Sequence, residues 1–98
     1  MWKQGLNFGH GLGHGIGVYN CVHEYPHFYM ERKHNYSLEA GMTVTNEPGY
    51  YREDFYGIRL ENILEITGKE KGYLGFDCLT KVPYCKDLID IPYLKSQY

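Results

Sequence analysis

Apolar and polar residues along this 98-residue chain alternate with a period of two in several stretches, and the 3.6-residue helical period is nearly absent. The clearest stretch is GIRLENILEIT at 57–67. Its even positions Ile58, Leu60, Leu64 and Ile66 make an apolar face, and its odd positions Arg59, Glu61, Ile63 and Glu65 point the other way. This predicts a strand. TGKEKG at 67–72 predicts a turn, and YLGFDCLTKV at 73–82 predicts a returning strand, together a hairpin. After Gly41-Met42, TVTNEP predicts an extended run that Pro48-Gly49 stops or bends. Residues 18–24 (VYNCVHE) have strand composition, 25–40 read as a long loop, and 86–98 form a charged tail interrupted by Pro92. No amphipathic helix is available to cover such a sheet, so the expected architecture is an incomplete, mostly antiparallel one.

The run Gly9-His10-Gly11-Leu12-Gly13-His14-Gly15-Ile16-Gly17 sharpens this picture. In extended backbone it would present one bare face and one face of His10, Leu12, His14 and Ile16. Each strand glycine is unfavourable by about 0.5–1 kcal/mol relative to alanine, so such a run points to a site rather than a core. Neither GxGxxG nor GxxxxGK[ST] aligns with it, so nucleotide binding fits worse. His23-Glu24-Tyr25-Pro26-His27 matches H-E-x-x-H, but that motif works only on a helix. Pro26 would remove a donor and clash with the preceding turn, at about 3 kcal/mol or more, so His27 is expected to be a loop histidine.

Composition narrows the class. Eleven tyrosines (Tyr 11) and twelve glycines (Gly 12) favour strands and turns. A net charge of −2 leaves no basic footprint for nucleic acid and no cationic face for a membrane. No apolar run approaches the roughly 20 residues of a membrane span, and the first residues hold no apolar signal-peptide centre. Cys21, Cys78 and Cys85 show no CxxC spacing, so the expectation is a reduced, cytoplasmic setting without a disulfide framework.

Glu47 ends an extended run just before a turn, and Arg59 and Glu61 lie together on the polar face of the 57–67 strand. Alone, such a face would be a solvated ion pair of about 0–1 kcal/mol. A histidine joined to two carboxylates instead suits divalent Mn, Co, Fe or Zn, and a carboxylate can bridge two ions that activate a water between them.

GLNFGHGLGHGIG, NCVHEYP, LEAGMTVTNEPGYY and YGIRLENILEI, in this order, resemble the C-terminal part of a pita-bread metallopeptidase of the Xaa-Pro aminopeptidase (aminopeptidase P) family. The spacings agree: four from His10 to His14, nine from His14 to His23, fourteen from Glu47 to Glu61. The resemblance implies an α+β pita-bread (creatinase/aminopeptidase) fold, with residues 1–98 as an incomplete, mostly antiparallel piece of the catalytic domain. It implies His14 and Glu47 on one metal, Glu61 bridging two, and His10 and His23 contacting substrate and steadying the tetrahedral intermediate. Glu47 would also accept the proton of the attacking water, and Arg59 would orient a carboxylate.

The implied cofactors are two divalent ions, manganese first and zinc or cobalt next, and the implied substrates are peptides with proline at position two. A homodimer is implied for the complete enzyme. Two aspartates and a further histidine of the family pattern have no counterpart in these residues, so the chain alone is expected to be inactive. The family usually has threonine where Leu12 stands and glycine where Tyr25 stands. A prolidase acting on Xaa-Pro dipeptides, or a non-catalytic binding module of the same fold, are the alternative readings.

Overall fold

The computed structural model describes residues 1–29 and 36–95. Its strands are β1 (Gly13–Gly15), β2 (Glu24–Tyr29), β3 (Thr43–Asn46), β4 (Gly49–Arg52), β5 (Tyr56–Arg59), β6 (Asn62–Gly68) and β7 (Leu74–Cys78). One sheet has the order β2-β1-β3-β6-β7, and β4 pairs with β5. Every pairing is antiparallel.

A long hairpin organises the molecule. β3 pairs with β6 from Thr43↔Glu65 to Asn46↔Asn62, and β4 pairs with β5 from Gly49↔Arg59 to Arg52↔Tyr56. Both halves keep one register, and between them the Leu60 N–H donates to the Pro48 carbonyl at 3.1 Å. The strand expected at 57–67 is therefore broken at Leu60-Glu61. Pro48, across from Leu60, has no N–H to return the bond, so the ladder opens there. Glu47 and Glu61 lie in that opening, opposite each other in the shared register.

Alternation assigns the two faces of this hairpin. On the even face Val44 and Ile66 are fully buried and Leu64 is half-buried, while Ile58 (41% exposed) and Leu60 (49%) are open. The apolar face is thus covered only along β3 and β6. The chain exposes 8534 Å², against about 5800 Å² expected of a closed monomer of its mass. Ile91–Lys95, the one α-helix among the described residues, has no buried residue.

Several local expectations change. At 18–24 the backbone turns instead of running as a strand: Tyr19 and Asn20 take φ of 54° and 61°, and the Cys21 N–H donates to the Val18 carbonyl at 3.2 Å. Two consecutive positive φ values make the tight hairpin turn that strand composition does not reveal. Residues 25–29, expected as loop, belong to β2. Pro26 fits there because β2 is a sheet edge and its pairing skips between His14↔Phe28 and Gly15↔Glu24. Residues 30–35 of the expected loop and 96–98 of the expected tail lie outside the described residues. In the glycine-histidine run only Gly13–Gly15 is strand, and residues 9–12 bend. The β6–β7 hairpin forms as expected, though β7 stops at Cys78 rather than 82.

Candidate metal centre

β3 is the central strand and brings the candidate ligands together. β1 pairs with it through Gly15↔Val44, so His14 lies across from Thr45. The Thr45 hydroxyl accepts from the His14 backbone N–H at 3.0 Å and donates to Glu47 Oε1 at 3.0 Å. Thr45 and Glu47 are both buried, at 2% and 7% exposure. A buried carboxylate is tolerated only with partners, and Glu47 has them. Arg59 Nη1 lies 3.4 Å from Glu47 Oε2, and the Glu47 N–H donates to the Leu12 carbonyl at 2.7 Å.

His14 is fixed in a state suited to a cation. Its Nδ1 lies 2.8 Å from the Gly15 carbonyl, which can only accept, so Nδ1 carries the proton in the neutral ring. Nε2 then points a lone pair at Glu47 Oε1, 3.1 Å away. Two acceptors face each other there, an arrangement that a divalent ion or an imidazolium proton resolves. Across the hairpin, Glu61 faces Glu47 in register, and directly opposed like charges are unfavourable without a counter-ion. The donor types fit a metal, and His14 and Glu47 already meet. Glu61 is exposed, however, and among the described residues no group of three or more His, Cys, Asp or Glu is close enough to hold an ion.

A path of polar contacts leads from Glu47 to His10, beginning with the Glu47–Arg59 ion pair. Arg59 Nε donates to the Tyr51 hydroxyl at 3.2 Å, and that hydroxyl lies 2.6 Å from His10 Nε2. His10 Nδ1 is 2.8 Å from the Gly11 carbonyl, so in the neutral ring Tyr51 donates and Nε2 accepts. The contact with Tyr51, and then the charges on Glu47 and Glu61, raise the Arg59 pKa above its ordinary value. His23 is exposed, with its ring centroid 4.2 Å from that of His14. The side chains of Tyr25 and His27 lie outside the described part.

Sequence reasoning named His10, His14, His23, Glu47, Arg59 and Glu61 but missed Thr45 and Tyr51. Both share Glu47's parity. Extending the period-two reading of 57–67 back along TVTNEPGYY would have placed them beside it.

A profile of metallopeptidase family M24 matches residues 1–68. The chain belongs to this family. Aminopeptidase P1 of Arabidopsis thaliana is 48% identical over 106 residues, covering 99% of this chain and 16% of the relative. Xaa-Pro aminopeptidase 2 of Homo sapiens is 42% identical over 102 residues, covering 100% of this chain and 15% of the relative. Among solved structures, the X-prolyl aminopeptidase of Caenorhabditis elegans, described as a cytosolic enzyme with a di-nuclear active site, superposes with a TM-score of 0.82. It is 39% identical, with 94% of this chain and 16% of that one covered. The fold is thus the pita-bread fold, present here as its mostly antiparallel part. The chain spans about one sixth of the length of these relatives.

Proposed function

We propose that this chain supplies one wall of a two-ion aminopeptidase centre that removes the N-terminal residue ahead of proline. The observation that supports it most is the environment of Glu47: a buried carboxylate facing the bare Nε2 of His14 and standing opposite Glu61. His14, Glu47 and Glu61 would hold divalent metal, which when bound acidifies a water and polarises the scissile carbonyl. The identity of the metal as manganese, the cytoplasmic setting and the homodimer belong to this proposal as well.

The chain's own residues do the rest. Arg59 and Thr45 hold the two Glu47 oxygens in place, so it can accept a proton at a fixed position. His10 and His23 flank the same face, and His10 takes its orientation from Gly11 on one side and Tyr51 on the other. Both ring nitrogens of His10 are thus engaged, and His10 would meet a developing oxyanion through Nε2 by exchanging its Tyr51 bond for one to the substrate.

The test is complementation. The chain is assayed alone, and then mixed with an aminopeptidase P from which the matched stretch has been deleted, in manganese buffer. Cleavage of an Arg-Pro-Pro peptide by the mixture, with no cleavage of its Arg-Ala-Pro analogue and none by the chain alone, is the expected result. Cleavage of Xaa-Pro dipeptides only would make the protein a prolidase. Binding of proline peptides without any turnover would make it a non-catalytic module.

A further inference from the structure

Tyr51 reaches both His10 and Arg59, yet the residue itself is 44% exposed. What positions it is the absence of two side chains. Gly57 is the direct cross-strand partner of Tyr51, and Gly49 lies two residues before it on the same face, across from Arg59. A Cβ on Gly57 would lie 2.8 Å from Tyr51 Cδ1 and 3.3 Å from Cε1, at the root of the ring. A Cβ on Gly49 would collide with the Tyr51 hydroxyl, Cζ and Cε2, at its tip. The ring therefore lies flat across bare backbone, occupying the space of both missing methyls.

We infer that Gly49 and Gly57 form a seat that positions the Tyr51 hydroxyl between His10 and Arg59. They act through Tyr51 and touch no substrate. Neither glycine has a positive φ, so their role is close approach and not backbone freedom. A tyrosine ring is rigid beyond its first two torsions, so it cannot bend around an added methyl. It has to swing away as a unit, which takes the hydroxyl off both of its partners. Gly68, in neighbouring β6, supplies a control: a Cβ there meets nothing within 4 Å.

The seat itself is independent of the peptidase reading, whereas its effect on turnover rests on that reading. The first measurement therefore needs no activity. In the chain labelled at tyrosine and histidine, ring-to-ring nuclear Overhauser contacts between Tyr51 and His10 are expected, since their centroids lie 5.3 Å apart. Gly57→Ala should abolish these contacts, and Gly68→Ala should keep them. Contacts that persist in Gly57→Ala, or are absent from the unmodified chain, overturn the inference. If Gly57→Ala loses its dispersed spectrum, Gly57→Ala with Tyr51→Ala decides: removing the ring restores the fold if the conflict lies in the seat, and continued failure overturns it.

The second measurement uses the complemented preparation. Gly57→Ala should lower kcat by roughly tenfold with KM within about twofold, and should cost nothing further in a Tyr51→Phe background. Additive losses overturn action through Tyr51. If no form cleaves Xaa-Pro peptides, the peptidase reading falls and the spectra alone decide the seat.

Discussion

The two faces of the long hairpin are built on one backbone and one register, and they obey different rules. The even face is a hydrophobic surface, with Val44 and Ile66 out of water and Leu64 beside them. The odd face sets Thr45, Glu47, Gly49 and Tyr51 against Gly57, Arg59 and Glu61, and holds its geometry through directional bonds. Burial tolerates small errors of placement, because area and not angle sets its energy. The hydrogen-bonded face does not tolerate them: a shift of an ångström breaks a bond and can strand a buried polar group. Exchanging the two kinds of perturbation between the faces is the way to test this contrast.

The largest effect should fall on the apolar face. Ile66→Ala should destabilise the fold by about 2–5 kcal/mol, as for other large-to-small core substitutions. Ile63→Ala, on the odd face of the same strand and 37% exposed, should cost about 1 kcal/mol. Urea unfolding measures both. Equal losses would mean that the faces are not distinguished by burial.

Next comes a substitution that leaves volume almost unchanged. Thr45→Val removes the hydroxyl that serves both the His14 N–H and Glu47 Oε1, and should cost about 1–3 kcal/mol through the groups left unpaired. Thr45→Ser should recover most of the loss. If valine proves as stable as threonine, the odd face owes its order to packing, and the contrast fails.

The smallest effect concerns the turn into β2. Cys21 has its thiol pKa raised, chiefly by donation to the Glu24 carboxylate and then by partial burial and the Glu24 charge. A raised thiol pKa means the protonated form persists further up the pH scale. Alkylation of Cys21 should therefore rise at higher pH than that of the same cysteine in the unfolded chain. Glu24→Gln should move its profile down, as competitive labelling read by mass spectrometry would register. An unchanged profile would show that Glu24 does not reach the thiol.

Legibility in the sequence followed the same division. Period two identified the apolar face, the β6–β7 hairpin and the parity of Arg59 and Glu61, because burial writes itself into alternating residue types. Motif spacing identified the family. The break at Leu60-Glu61 was hidden, since it arises from the missing N–H of Pro48 on the opposite strand and not from any residue within 57–67. The turn at Tyr19-Asn20 was hidden because its one left-handed signal, Asn20, stands among the strand formers Val18, Tyr19, Cys21 and Val22. Pro26 was read as excluding a helix, and composition then suggested a loop; an edge strand with skipped pairing accepts the proline instead. Tyr51 escaped because its role depends on two glycines that sequence reasoning treats as punctuation.

The proposed centre requires the odd face, with His14 from β1, to bind a divalent ion. Calorimetric titration of manganese into the chain tests it most directly, with His14→Ala, Glu47→Gln and Glu61→Gln beside the unmodified form. The unmodified chain should bind weakly, and each substitution should lower affinity by about tenfold or more, with Ile66→Val unchanged as a control for the opposite face. Binding that is absent from the unmodified chain, or equal in all four, would contradict the account.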